Sequence, residues 1–389
     1  MSNEIAFVLI NPYTIRKSRT GGILGRYLSR TDLKLVAARM FGASRELAAE
    51  YADFLEGSNI GDPEMARLLA SYVRQNYAPD PVTGRPHRAI LLLFEGENAI
   101  DKILKVTGSS RLLWGSGQSV RDTYGDFVQD PDGAIRYFEP AVLIGPDALV
   151  TRETLRIWSR FVATDSGFVR GALDMPSGEG VEQTLVLLKP DNFRVPSIRA
   201  GNILDLLSNA GLRMVCVKRF SMSVAQAEQF YGPVRESLKR IFPTFGVGRA
   251  AQALSREFGF PVDDDLVRPL CEQLAPRFAA REFENIVEFM SGCRPAACAA
   301  AAKDAPGSSA CLAVVYEGVD AVRKIRDLLG ATDPTKARPG SVRREFGTSI
   351  MVNAAHASDS TENARREMSI IGVDIPEPFM SVVKQALQD

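Results

Sequence analysis

Phe94-Glu95-Gly96-Glu97-Asn98-Ala99-Ile100-Asp101-Lys102-Ile103 returns 222 residues later as Tyr316-Glu317-Gly318-Val319-Asp320-Ala321-Val322-Arg323-Lys324-Ile325. Arg121 and Arg343 keep the same offset. Nearer the N-terminus, Val8-Leu9-Ile10-Asn11-Pro12 returns as Val186-Leu187-Leu188-Lys189-Pro190, at an offset of 178. The chain therefore reads as one domain written twice. The offset grows from 178 to 222, so the second copy holds 44 more residues between the matched blocks. The extra length falls in 235–280, a stretch with helical patterning and an acidic turn, Asp263-Asp264-Asp265. Two domains are expected, 1–178 and 179–389, joined near Ser177-Gly178-Glu179-Gly180.

Within a copy the order is strand, helix, strand, helix, strand, helix, strand. Strands are expected at 5–10, 33–38 and 89–94, with helices at 22–28, 44–55 and 63–77. In the second copy, alternating β-branched and aliphatic residues in 184–188 and 214–217 fit buried strands. This order is that of a ferredoxin-like split βαβ fold, of class α+β: a four-stranded antiparallel sheet with helices on one face.

Composition narrows the function. Lys plus Arg and Asp plus Glu balance at 47 each, so no global field favours nucleic acid or an anionic membrane. No apolar run reaches the ~18–20 residues that span a bilayer. The N-terminus lacks the basic start and apolar core of a secretory signal. The five cysteines, Cys216, Cys271, Cys293, Cys298 and Cys311, are an odd number and suit thiols in a reducing cytoplasm. Cys293 and Cys298 lack a paired Cys/His set, which argues against zinc.

There are two histidines. His87 ends a Pro-rich loop before a strand and is expected to take no catalytic part. His356 lies in Asn353-Ala354-Ala355-His356-Ala357-Ser358-Asp359-Ser360, after an apolar strand-like run, Ser349-Ile350-Met351-Val352. A helix is expected at 361–371, with N-cap candidates in Ser358-Asp359-Ser360. A neutral imidazole is a nitrogen nucleophile near pH 7, so a phosphohistidine can form there. A buried or capping histidine fits the same lone residue. Likewise Lys189 alone suits a strand-end charge, Arg326 a solvated helix face, Asp333-Pro334 and Pro339-Gly340 plain turns, and Phe283 and Tyr231 the core.

Taken together, these stretches resemble the nucleoside diphosphate kinase family from Leu185 to about Gly372. Leu187-Leu188-Lys189-Pro190-Asp191 resembles the family's first strand and phosphate-contacting lysine. Leu329-Gly330-Ala331-Thr332-Asp333-Pro334 and Pro339-Gly340-Ser341-Val342-Arg343 resemble its nucleotide-side loop. Asn353 to Ser360 resembles its catalytic signature, with Glu367 eleven residues past the histidine. The resemblance implies γ-phosphate transfer from ATP to nucleoside diphosphates, by a ping-pong cycle through phospho-His356 and with Mg²⁺ carried on the nucleotide phosphates. Phosphoryl transfer asks for fixed cations around the phosphates and an in-line nucleophile. Lys189, Arg326 and Arg343 are the cations expected there. Thr332 would donate to a phosphate, and Asn353 would bind the sugar or the leaving oxygen. By the resemblance Phe283 would stack on the base and Tyr231 would orient the lysine. Glu367 would fix the imidazole tautomer, with Ser358 supporting the same group, while Asp359 would cap the helix or touch metal.

Two departures stand out. Ala357 occupies the position where the family usually has glycine, which crowds the nucleophile slightly without an expected loss of chemistry. The first copy has Asn11 at the position of Lys189 and Leu104 at that of Arg326. An ungapped alignment puts Ala134 opposite His356, and a gapped one puts Ile144 there. The first copy is therefore expected to be a degenerate, non-catalytic domain. By analogy the two halves would pack as an internal pseudo-dimer, and chains would assemble further as a homo-oligomer. Two other functions fit the same residues: a nucleotide-binding regulator or scaffold, and a phosphohistidine that donates to a protein.

Overall fold

Alternation along the strands decides where the cores lie. In the computed structural model, which describes residues 3–58, 63–109, 117–133, 135–172 and 180–388, Ala6, Val8 and Ile10 enter one core while Phe7 and Leu9 enter another. Successive side chains of a strand point to opposite faces, so this strand is buried on both.

The first repeat runs β1 (Asn3–Ile10), α1 (Pro12–Arg16), α2 (Thr20–Arg30), β2 (Lys34–Gly42), α3 (Arg45–Gly57), α4 (Pro63–Asn76) and β3 (Arg88–Glu97). It continues through α5 (Ala99–Thr107), α6 (Val120–Tyr124), a hairpin of β4 (Asp126–Gln129) and β5 (Ile135–Glu139), β6 (Val142–Ile144) and α7 (Ala148–Arg160). The second begins with β7 (Val181–Leu188), α8 (Arg199–Ser208) and β8 (Arg213–Ser221). Two long helices, α9 (Val224–Phe258) and α10 (Asp264–Ser291), precede β9 (Ala310–Val319). The chain ends with α11 (Ala321–Leu329), α12 (Val342–Phe346), β10 (Ala355–Ala357), α13 (Thr361–Ile371) and α14 (Phe379–Gln388).

The strand order is β10-β7-β9-β8-β2-β3-β1-β6. Read from either end, it is the same four-strand pattern of a ferredoxin-like half. The halves meet where β2 pairs antiparallel with β8, Arg39 opposite Lys218. Each half covers an edge that would otherwise offer unpaired backbone groups.

The expected junction at Ser177-Gly178-Glu179 lies outside the described residues. The compact units follow a different division: Met1–Phe220 with Cys311–Asp389 form one, and Ser221–Ala310 the other. A cut between the repeats does not separate two bodies, because one sheet runs through both. Nor are the helices confined to one face. Leu47, Tyr51, Leu69, Val73 and Trp158 cover Phe7 and Leu9, and α14 adds Phe379 and Val383 to that core. Phe41 meets Trp158 and Phe379 edge-on, at centroid distances of 5.0 and 5.8 Å. On the opposite face Ile23, Leu24 and Tyr27 of α2 share a core with Ile203, Leu204 and Leu207 of α8.

The second unit is a helical hairpin with its own small core of Val247, Ala251, Val267 and Cys271. α9 starts in a capping box formed by Ser223 and Gln226 and stops at Gly259, whose φ of 75° suits a residue without Cβ. The acidic turn expected at Asp263 to Asp265 puts Asp263 at the N-cap of α10 and two carboxylates in its first turn, where the helix dipole favours them.

Register fixes the correspondence between the repeats. Leu9 pairs with Leu143, and Leu187 with His356. Leu9 and Leu187 are equivalent across the repeat, so the first-copy counterpart of His356 is Leu143, not Ile144; Ala134 lies outside the described residues. Ala141 and Ala354, each two residues before that position, both have positive φ, 61° and 69°. The offset drops from 222 to 213 here because the first repeat alone carries the β4–β5 hairpin.

Candidate active site

β10 is a strand of three residues, Ala355–Ala357, and its sequence gives little warning of it. The strand expected at 349–352 is instead a turn, in which the N–H of Thr348 donates to Val352 O at 2.8 Å and Ile350 is 63% exposed. His356 faces the same side of the sheet as Leu187 opposite it, and hence as Lys189 two residues farther on. Ser358, whose N–H donates to Leu185 O at 3.1 Å, continues the pairing on that side.

α13 then supplies the carboxylate. It begins after Ser360, whose side chain accepts the N–H of Asn363, and spans the expected 361–371. Glu367, 5% exposed, brings Oε2 to 2.9 Å from His356 Nε2 and accepts the Ser358 hydroxyl at 2.6 Å. An ionised carboxylate only accepts, so the bond calls for a proton on Nε2 and puts the ring lone pair on Nδ1.

Lys189 is 8% exposed. Its Nζ donates to Asn353 Oδ1 at 2.7 Å and to Met351 O at 3.1 Å. Burial pulls its ammonium down to about 8, and the positive charge of Arg343 adds to the shift. Asn353 is buried too, donating from Nδ2 to Thr332 O and Ile350 O at 3.0 and 2.9 Å. Those bonds hold the lysine and the loop, and they leave the second lone pair of Oδ1 for another donor. The Ala354 carbonyl accepts from Lys189 N at 2.9 Å and Asn192 Nδ2 at 2.7 Å. These two bonds fix the left-handed backbone that delivers His356.

Arg343 donates to Gly330 O at 2.9 Å and to Ala355 O at 3.2 and 3.3 Å. Arg121 does the same in the first repeat, reaching Gly108 O and Val142 O at 3.0 and 3.3 Å. These bonds thus belong to the shared frame and aim the guanidinium in both copies. A cleft of about 390 Å³ opens beside Ala357, lined by Arg326, Arg338 and Arg343. Arg338 was not singled out from sequence; it stands just before the Pro339-Gly340 turn and donates to Asp327 O at 3.0 Å. Thr332 is exposed. Asp359 is exposed as well, and its Oδ1 accepts from Asn363 at 2.6 Å. That bond first, then nearby Arg326 and His356, holds its carboxyl below the usual range. Tyr231 on α9 and Phe283 on α10 belong to the second unit. There Tyr231 packs on Phe230 at 4.9 Å, and the Arg235 guanidinium lies 5.8 Å from the Phe283 ring centre.

In the first repeat, large side chains fill this face. Leu143 is buried with Tyr51 and Trp158. Asn11, at the position of Lys189, donates to Glu139 Oε1 at 2.9 Å and accepts the Tyr77 hydroxyl at 2.6 Å, while Tyr72 donates to Glu139 Oε2 at 2.5 Å. Burial raises the Glu139 carboxyl despite these donors.

Comparison with known proteins matches the second repeat. The family described as nucleoside diphosphate kinase matches residues 182–245 and 281–372. The nucleoside diphosphate kinase of Wolinella succinogenes is 33% identical over 189 residues, covering 49% of this chain and 93% of that protein. The chain belongs to the nucleoside diphosphate kinase family. The Helicobacter pylori (strain Shi470) enzyme is 32% identical over 188 residues, covering 48% and 93%. The crystal structure of Aquifex aeolicus nucleoside diphosphate kinase covers 49% of this chain and 94% of its own, at 28% identity and a TM-score of 0.31. The family match leaves out 246–280, so most of the expected insertion at 235–280 is additional to the family domain. No helix among the described residues is long and apolar enough to cross a membrane.

Proposed function

We propose that the chain moves the γ-phosphate of ATP to nucleoside diphosphates by a ping-pong cycle through phospho-His356. One observation carries the reading: Glu367 holds Nε2 of His356 at 2.9 Å, and the next residue, Ala357, lines a cleft together with three arginines. Nδ1 is then the attacking nitrogen. It bonds to the γ-phosphorus as the bond to the bridging oxygen of ADP breaks, and the ring becomes cationic against Glu367. In the second half a diphosphate oxygen takes the phosphoryl group and the ring returns to neutral. Arg326, Arg343 and Lys189 are the fixed cations for the charge that spreads over the transferring group.

Mg²⁺ fits the arrangement as a passenger of the nucleotide. Such ions are commonly held by one or two carboxylates together with substrate phosphates, and Asp359 is the carboxylate beside Arg326 and His356. The ion would supply further neutralisation of phosphate charge.

The reading extends to the first repeat, which we take to be non-catalytic: Leu143, Asn11 and Thr154 stand at the positions of His356, Lys189 and Glu367. The shared sheet and the α2–α8 contact support treating the two repeats as an internal pseudo-dimer. A cytoplasmic location suits the five free thiols.

Incubation with γ-labelled ATP, Mg²⁺ and no acceptor should give an acid-labile, alkali-stable phosphoenzyme holding about one phosphoryl group per chain. Addition of GDP should then release the label as GTP. A folded protein that takes up no label would refute the reading. In the free enzyme Lys189 is a cation below pH about 8 and neutral above it. The value of kcat/KM, which reports the free enzyme, should therefore fall as pH rises through that value. Lys189→Gln should be slow and flat across the same range. A wild-type profile level to alkaline pH would deny the ammonium its part.

A further inference from the structure

Away from the His356 cleft, a pocket of about 180 Å³ lies where α1 and α2 of the first repeat meet α8, β8 and β9 of the second. Arg16, Arg88, Arg213, Thr20, Gly21 and Tyr316 line it. Arg88 is 6% exposed and spends one N–H on Met214 O at 2.5 Å. Burial lowers the pKa of its guanidinium, and the charges of Arg213 and Arg16 lower it further. Tyr316 is 3% exposed, and its hydroxyl is buried with no hydrogen-bond partner. Buried polar groups are nearly always satisfied, so the unpartnered phenol, on the wall of a pocket that three arginines also line, has a donor to spare; the charge that acts on it is the Asp205 carboxylate. Thr20 and Gly21 open α2, an eleven-residue helix without a side-chain cap at its N-cap, Arg19. The N-terminal dipole adds to the positive potential. Two carboxylates lie near but outside the lining: Asp205, which accepts the Gly22 N–H, and Glu317, which faces Arg88. Three positive side chains against two negative ones leave the surroundings of the pocket net positive, with Arg88 the buried cation among them.

The internal repeat shows that the fold does not demand this set. At the offset of 222, Arg88 corresponds to Ala310, and Tyr316 to Phe94. The chain carries the orphan hydroxyl and the buried arginine on one side of the pseudo-symmetry only.

We propose that this pocket binds a small, multiply charged oxyanion of the phosphate class, at a site separate from the nucleotide cleft. Arginine forks, a phenol donor and a helix N-terminus together match tetrahedral phosphate oxygens. The volume is below the ~300 Å³ at which small-molecule pockets begin, so inorganic phosphate or pyrophosphate fits and a whole nucleotide does not. Because its ligands come from both repeats, the bound anion would tie them together.

The test is titration of the full chain with phosphate and with pyrophosphate, followed by calorimetry and by thermal melting at constant ionic strength. The proposal expects saturable binding and a rise in Tm. The affinity should weaken at least about tenfold in the double variant Arg16→Gln/Arg213→Gln and severalfold in Tyr316→Phe. Both side-chain guanidinium groups in that double variant are exposed, so it should fold, and its phosphotransfer rate should equal that of the wild type. Arg326→Gln, on the cleft, should leave the anion affinity unchanged. Binding that survives the double variant but disappears in Arg326→Gln would place the anion in the cleft and overturn the proposal. So would the absence of any wild-type response at millimolar anion. Whether phosphate or pyrophosphate binds more tightly identifies the occupant.

Discussion

His356→Ala should carry no label from γ-labelled ATP and should transfer phosphate between nucleotides at least about 10⁴-fold more slowly than the wild type, the scale seen when a covalent nucleophile is removed. The fold should tolerate the change. The imidazole is 23% exposed, so its loss opens little buried space. The strand hydrogen bonds of β10 come from backbone, and Glu367 keeps the Ser358 hydroxyl at 2.6 Å. What disappears is the nitrogen that the carboxylate aims. Glu367→Ala should be milder, about 10²-fold, because the ring stays while its tautomer and its stabilised cation are lost. The ratio matters more than either number: nucleophile loss must exceed loss of its orienting group. Labelling that persists in His356→Ala would move the covalent step to another residue. In that event the 2.9 Å contact with Glu367 would be ordinary core satisfaction.

Much of this arrangement could be read before any coordinates, for reasons that differ by element. The repeat was legible because β1 and β7 must each bury both faces, which keeps Val8-Leu9-Ile10 and Val186-Leu187-Leu188 alike. Helix α13 was legible because N-caps are local chemistry, and Ser360 caps it where the spacing puts a cap. β10 was not legible. Ala-His-Ala carries no β-branched signal, and its strand state comes from β7 beside it, a long-range partner. Ile350-Met351-Val352 looked more strand-like, yet the chain turns there and leaves Ile350 in solvent. The correspondence of Leu143 to His356 was hidden by the β4–β5 hairpin, since an insertion of nine residues shifts an ungapped alignment away from the true register. Site residues close in sequence to β7 or β10 could be placed from motif spacing. The hydrogen bonds of Asn353 could not, because its partners, Thr332, Ile350 and Lys189, come together only when the loop folds back. The division into compact units was equally hidden: nothing in 34–42 or 213–221 announces that the two edges will pair with each other.

That pairing rests on a helix contact which a single methyl group should disturb. A Cβ on Gly201 of α8 would lie 2.3 Å from Gly21 O and 2.7 Å from Gly25 Cα, both backbone atoms of α2 that cannot swing aside. Gly201→Val should therefore destabilise the chain by about 3 kcal/mol or more, the upper end for overpacking a tight interior. Denaturant unfolding of wild type and variant measures it directly. Gly248→Ala in α9 is the matched control: nothing lies within 4 Å of its added Cβ, and the swap should be neutral or stabilising by up to about 1 kcal/mol. The consequence should reach the active site. Arg199, at the first turn of α8, donates to Phe346 O at 2.8 Å and pairs with Asp191 at 3.2 Å, two residues past Lys189. If α8 is pushed off α2, that brace moves and the lysine with it, so residual folded Gly201→Val should show a raised KM for nucleotide. A variant as stable as the wild type would mean that α2 and α8 do not cross at their glycines. The shared sheet alone would then have to hold the repeats together.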